Sequence, residues 1–354
     1  MRDMHHLILR CDCKFKYLIE QYFEQGMHRK DHPVSEYVLM PEWTRLRYAL
    51  DYGLYPEEAR KTENKVSFKR LLRDSGYNTA GEVGWLQVDK EHHIPVVEPP
   101  SGNPKKLDEA LSEFGCVFAK PSDGLQGLGC GKIERGGDDF PYLLNGKQAT
   151  EQDIVSFINA QPTIGRADTP EPVAKRLLVE PLLINHESLR CFHPSSLNTM
   201  RVLTMRTPGG GVEVNRAIMR FGTGGRCTDN LHAQGIAIPV NLRTGEMVEW
   251  GHVQKLSAPP YRQHPDSGLT FKGVPIPYWQ ESLELVLEVR RQICPHLFNV
   301  GFDVVITPTG PLLLEANVHS GFFQRAGAGG IRPIMNTWLK PLAEEFRKGN
   351  PIPY

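Results

Sequence analysis

Residues 301–321 read GFDVVITPTGPLLLEANVHSG and hold a suggestive spacing of oxygen donors. The apolar run Val304, Val305 and Ile306, a Pro-Thr-Gly turn and a second run, Pro311 to Leu314, predict a β-hairpin. Antiparallel pairing across Thr309-Gly310 brings Asp303 level with Glu315 and Asn317. Side chains alternate along a strand, so Glu315 and Asn317 share a face. Two carboxylates and an amide oxygen form a hard donor set suited to Mg²⁺ with phosphate as co-ligand. A solvated hairpin with ordinary surface acids is the competing reading.

A second stretch bears on the same chemistry. Cys116-Val-Phe-Ala-Lys120 is a short apolar strand ending in a lysine, and it runs into Pro121-Ser122-Asp-Gly124-Leu-Gln-Gly127-Leu-Gly129-Cys-Gly131. Glycines let backbone N–H groups approach an anion, consecutive N–H groups form a nest, and the lysine supplies positive charge. No Gly-Lys-Ser/Thr follows, so this is not a Walker A loop, and a plain Gly-rich hairpin is the alternative. Arg176 to Leu183 reads as a strand broken by Pro181, and a strand leaving its sheet exposes backbone groups able to read a base edge. Glu187, a few residues on, could take ribose hydroxyls. Residues 193–205 read as a turn entering a strand, with Asn198 and Arg201 at the entry, and Val212 to Phe221 returns after Pro208-Gly-Gly-Gly211. Strict alternation there puts Arg216 and Arg220 on one face with Val214 and Ile218, a candidate phosphate clamp or merely an exposed basic face. The Gly-rich loop 222–235 holds Asn230 and His232, and His319 and Ser320 lie just past the hairpin, placed to contact substrate or to stabilise the loop.

These residues need elements to carry them. Residues 1–64 look helical and irregular, with helical spacing in Phe15–Phe23 and Glu42–Tyr52, and no Gly-rich turn after a strand that would mark a dinucleotide site. A helix is expected from Lys65 to Gly76, a strand over 83–88, and a helix over 103–114 with Pro104 in its first turn. Leu144-Asn-Gly-Lys147 is a hairpin turn, and Thr150 with Asp153 starts a helix through a variant capping box. Strands follow over 236–242 and 247–253, then a Pro/Gly-rich flap over 259–277, a helix over 277–294 and a closing helix over 331–348.

The chain has 354 residues, enough for two or three subdomains around a shared site. Its 41 basic and 41 acidic residues create no global field to recruit nucleic acid or anionic membrane. No apolar run approaches the ~20 residues of a membrane span, and a cytoplasmic protein is expected. Seven cysteines without framework spacing, including Cys11-Asp-Cys13, point to reduced thiols rather than a disulfide scaffold or zinc site.

Taken together, Lys65, Lys120 with its glycines, Glu180 to Glu187, Arg220, Asn230 and the set Asp303, Glu315, Asn317 resemble the ATP-grasp superfamily. The nearest likeness is to the sugar-transfer-associated ATP-grasp group, with D-alanine–D-alanine ligase and the ribosomal-protein glutamate ligases more distant. The resemblance implies an α/β chain of the α+β kind, two subdomains gripping ATP, behind a helical lobe. The expected divisions are 1–60 for that lobe, 61–115 for a linker or pre-grasp region, 116–183 for the small lid subdomain and 184–354 for the large subdomain with its metal. It implies ATP and Mg²⁺ (or Mn²⁺) as cofactors. Lys65 and Lys120 would reach phosphates, and Ser122, Gly124, Gly127 and Gly129 would form the lid. Glu180, Pro181, Leu182 and Leu183 would form the adenine hinge, and Glu187 would bind ribose. Arg201 and Arg220 would lie near the γ-phosphate, and Asn230 would match an Asn of the glutamate ligases. Asp303, Glu315 and Asn317 would bind metal. The implied reaction is ATP-dependent joining of a small-molecule carboxylate to an amine, or to a thiol, through an acyl phosphate. A kinase acting on a hydroxyl and a nucleotide binder without turnover are the alternatives, and a homodimer is left open. The lobe lacks an evident α/β pre-grasp domain, so no substrate carries over from the peptide ligases.

Overall fold

The computed structural model describes residues 15–25, 27, 33–121, 129–160, 175–207, 210–253, 259–318, 320, 330–333 and 335–337. Helices α1 (Phe15–Glu24), α2 (Met40–Arg47) and α3 (Pro56–Glu63) make the N-terminal lobe, with a π-turn at Tyr48–Tyr52 after α2. Helix α4 (Lys65–Asp74) starts where Asn64 Oδ1 accepts the Ser67 amide at 2.9 Å, and Gly76, at φ +82°, turns the chain away after it.

Strands β1 (Gly84–Val88), β2 (Pro95–Glu98), β3 (Lys105–Lys106), β4 (Cys116–Pro121), β5 (Gly131–Arg135), β6 (Tyr142–Leu144), β7 (Lys147–Ala149) and β8 (Leu177–Pro181) form one antiparallel sheet ordered β3-β2-β1-β8-β4-β5-β6-β7. Helices α5 (Leu107–Phe114) and α6 (Glu151–Asn159) cover one face, where Val117, Ala119, Leu177 and Val179 meet Leu107, Leu111, Ile154 and Ile158. Alternation sends Lys120 and Glu180 to the other face. The capping box of α6 and the Asn145-Gly146 turn, both residues at positive φ, form as the sequence indicates. Two expectations do not hold here. The helix begins at Leu107 rather than near Pro104, because Lys105 and Lys106 pair with β2. The boundary at 115 falls within this sheet, because β1 pairs with β8.

The short helix α7 (Glu187–Arg190) leads to β9 (Thr199–Arg206), β10 (Val212–Phe221), β11 (Ile236–Val240), helix α8 (Trp279–Ile293), β12 (Asn299–Thr307) and β13 (Gly310–Asn317). The second sheet is ordered β11-β10-β9-β12-β13, again antiparallel. Met200, Val202, Met219, Phe302 and Val304 pack with Val286 and Val289 of α8 and with Phe68 and Leu72 of α4. On the opposite face Trp43 and Leu50 of the lobe pack onto Leu203, Met205 and Phe298. A bulge at Asn215 breaks the β9–β10 register between Val214 and Arg216. One extra residue flips the face, so Val214 packs toward the core with Met219 instead of siding with Arg216 and Arg220.

Two further segments differ from expectation. Residues 247–253 make only isolated bridges, at Val240–Met247, Ala237–His252 and Gly251–Tyr261. The Pro/Gly-rich stretch 259–277 is no flap: Phe271 is fully buried and stacks on Phe192 and Phe221. Cys116, Cys130, Cys191, Cys227 and Cys294 are free thiols, while Cys11 and Cys13 lie outside the described residues. The closing helix is seen only at 332–333 and 335–337. No described helix is long and apolar enough to cross a membrane.

Candidate active site

The hairpin pairs as its sequence indicates. Asp303 faces Glu315 and Gly301 faces Asn317. A register shift beside Asp303 accommodates the extra residue Leu314 while keeping the acids opposite. Like charges directly opposite on a sheet repel unless cations intervene. Here they do: Arg201 grips Asp303 through Nε and through a second nitrogen at 2.9 Å, and Arg220 meets Asp303 Oδ2 at 3.0 Å. Burial alone would raise the Asp303 carboxyl, but the two guanidiniums outweigh it and hold it well below the usual carboxylate range. Glu315 lies 3.8 Å from Lys65 Nζ and accepts from Asn317 Nδ2 at 3.3 Å.

The small sheet contributes a buried ionic triad. Glu180 accepts from Lys120 at 2.7 Å and pairs closely with Lys69. Burial favours neutral forms of all three, but the carboxylate holds the Lys120 proton more firmly than usual, and the two ammoniums lower Glu180. Lys69, for which burial dominates, is lowered. Lys65 and Lys69 stand at i and i+4 on α4, one turn apart on one helix face. One ammonium meets the large sheet at Glu315, the other the small sheet at Glu180. Cys130 sits among Lys65, Lys120 and Glu315, and burial pushes its thiol up to about 11.

The structure thus brings together Lys65, Lys120, Glu180, Arg201, Arg220, Asp303, Glu315 and Asn317. Gly129 is in place at φ +73°, whereas Ser122, Gly124 and Gly127 lie outside the described residues, as does His319. Leu182 and Leu183 follow Pro181 out of the sheet. Glu187 opens α7 and is exposed, outside the ionic cluster. The Asn230 side chain accepts the His232 amide and caps its own turn at Leu231–Ala233. Its neighbour Asp229 is the one that enters the network, accepting the Thr199 amide at 2.8 Å and facing Arg220 at 3.5 Å. Burial raises the Asp229 carboxyl against the pull of Arg220.

Sequence reasoning passed over Lys69 and Asp229. The only available signals were a second lysine one helical turn after Lys65 and an acid beside Asn230. Among the described residues no three His, Cys, Asp or Glu side chains form a metal cluster. The set at Asp303 and Glu315 instead offers two carboxylates and the Asn317 amide. Arg201 and Arg220 already pair with Asp303, and Lys65 lies beside Glu315.

The sequence profile described as sugar-transfer associated ATP-grasp matches residues 47–338. No curated protein matches the chain. Among solved structures, the chain is similar to D-alanyl-alanine synthetase A from Vibrio cholerae O1 biovar eltor (13% identity, 83% of this chain and 66% of that chain, TM-score 0.43). It is also similar to the biotin carboxylase domain of the Hydrogenobacter thermophilus 2-oxoglutarate carboxylase (13% identity, 74% of this chain and 41% of that chain, TM-score 0.38). A further similarity is to D-alanine–D-alanine ligase from Bacillus anthracis (12% identity, 82% of this chain and 71% of that chain, TM-score 0.39). This chain therefore spans under half of the carboxylase chain and just under two thirds of the synthetase. With its profile matched across most of its length, the chain belongs to the sugar-transfer-associated ATP-grasp family.

Proposed function

We propose that the chain is an ATP-dependent carboxylate–amine ligase working through an acyl phosphate and releasing ADP and phosphate. The observation that carries this reading is α4, whose Lys65 and Lys69 join the carboxylates of two sheets into one charged cluster. Five cationic side chains, Lys65, Lys69, Lys120, Arg201 and Arg220, converge there with Asp303, Glu315, Glu180 and Asp229. That balance suits a polyanion arriving with its own cation.

Asp303, Glu315 and Asn317 would hold Mg²⁺, which when bound supplies charge neutralisation to the phosphate tail. Lys120, parked on Glu180, and Lys65, beside Glu315, neutralise phosphate oxygens. Arg220 and Arg201 stabilise charge on the transferring phosphoryl group and keep Asp303 ionised. No protein nucleophile is required, because the activated acyl group stays on the substrate. Cys130, protonated at neutral pH, is not poised to be one. The site's work is positioning, charge compensation and exclusion of water.

The test is an ADP-release screen of purified protein with MgATP and pairs of carboxylic acids and amines, followed by isotope tracing. Ligation moves ¹⁸O from labelled carboxylate into phosphate. Phosphoryl transfer to a hydroxyl, with no ¹⁸O in phosphate, would establish a kinase instead.

A further inference from the structure

We infer that Ser320 is a positioning residue for Arg201, and that Trp43 of the N-terminal lobe holds Ser320 there, so that the lobe is part of the active site. The inference rests on the Mg²⁺–nucleotide reading and extends it to the N-terminal lobe.

Ser320 is almost wholly buried, three residues beyond Asn317. Its Oγ accepts a hydrogen bond from Arg201 Nη1 at 3.3 Å. Arg201 also donates to Asp303, through Nε and through Nη2. A guanidinium is a rigid planar fork, so fixing Nη1 fixes the angle at which the other two nitrogens meet the carboxylate. Ser320 can come so close only because position 301 is glycine. A Cβ there would run into Ser320 Oγ and stand 3.1 Å from Arg201 Cδ. Gly301 faces Asn317 and sits two residues before Asp303, so this contact lies at the base of the carboxylate pair.

The carbonyl of Ser320 accepts from Trp43 Nε1 at 3.2 Å. Trp43 is itself fully buried, its ring 5.9 Å from that of Phe298. Glu42, next to it on α2, pairs with Arg332, so α2 holds the chain again beyond the hairpin. A line of contacts runs from the lobe through Ser320 and Arg201 to Asp303. Removing its links should disturb the orientation of Asp303, which matters when a divalent ion must be held, and much less when it need not be.

The experiment measures ADP binding by calorimetry, with and without Mg²⁺, for wild type, Ser320→Ala and Trp43→Phe. The phenylalanine keeps an aromatic ring against Phe298 and deletes only the indole donor. Ser320→Ala should weaken MgADP binding about tenfold, the usual size for a hydrogen bond to a charged group, and leave metal-free ADP binding within about twofold. Trp43→Phe should act in the same direction, and the double variant should fall short of the sum, because both act through one line of contacts. Equal loss in both metal conditions, no loss in either, or full additivity would overturn the inference. Wild-type protein that binds no ADP would overturn the nucleotide reading itself, and that result appears before any variant is compared.

Discussion

At the scale of single residues, the two lysines of α4 separate stability from chemistry. Lys69 and Glu180 are buried together, whereas Lys65 and Glu315 are partly exposed and 3.8 Å apart. Removing one member of a buried pair strands the other charge, a loss of about 3–5 kcal/mol, while a partly exposed pair is worth about 0–1 kcal/mol. Lys69→Met should therefore cost about 3 kcal/mol in urea unfolding, at the low end because Lys120 still serves Glu180. Lys65→Met should leave the unfolding midpoint nearly unchanged and weaken ADP release instead. Comparable stability losses for both would contradict the division of labour. Glu315→Ala should lower ADP release by about a hundredfold or more with little loss of fold, measured under saturating ATP. The oxygen donors and Lys120 were legible in the sequence because strand alternation and a strand-lysine-glycine order leave a local mark. Lys69 was not, since lysines are almost always exposed and nothing near it announces that Glu180, distant in the chain, will bury it.

At the scale of elements, a buried polar latch sets how the strands of the large sheet begin. The Asn185 side chain pairs with both backbone groups of Asn198, at 2.7 and 2.8 Å, tying the segment after the hinge to the start of β9. Asn198 Oδ1 in turn accepts from Ser196 at 2.7 Å, and Ser196 meets His193 Nδ1 at 2.9 Å. Gly222, at the end of β10, closes over them, where a Cβ would stand 2.5 Å from Ser196 Oγ and 2.6 Å from His193 Nδ1. Gly222→Ala should cost about 1–3 kcal/mol by overpacking, read from denaturant unfolding. His193 also carries a pH signature. Burial lowers its pKa, with Asp266 pulling the other way and His264 adding to the lowering. A histidine lowered in the folded state binds protons more readily when unfolded. Stability is then full above the unfolded value of about 6.5 and falls as pH drops below it toward the folded value. His193→Gln should flatten that slope below about pH 6.5, and an unchanged slope would assign it to other groups. Caps and hairpin turns at this scale were readable, because each is written in two to four adjacent residues. The Asn215 bulge was not, since one additional residue has no compositional trace, and the stretch 259–277 misled because its prolines and glycines outweighed Phe271, which fills the core.

At the scale of the whole molecule, each sheet has its own apolar core, and α4 is the piece shared between them. Phe68 and Leu72 belong to the large-sheet core, while Lys69, on the same helix, is held by the small sheet. The order of motifs along the chain made the family legible, yet the expected boundary at 115 cut through a sheet. The β1–β8 pairing joins residues 84–86 to 177–179, and contacts of that separation leave no local pattern. This architecture dictates how ligand binding should spread. A nucleotide held by Lys120 on one side and by Lys65, Arg220, Asp303 and Glu315 on the other stabilises only the state in which both sheets are folded and apposed. At a hundred times its Kd, MgADP adds about 2.7 kcal/mol, and that gain should reach both cores together. Hydrogen exchange followed by mass spectrometry reads this directly. Amides of β4 and β8 and amides of β9 and β12 should slow in the same titration, with the same midpoint. Slowing confined to β4 and β8 would mean that ligand settles on the small sheet without engaging the carboxylate pair. In Glu315→Ala the expected pattern is that partial one, because Lys120 remains while the large sheet has lost part of its grip on the metal.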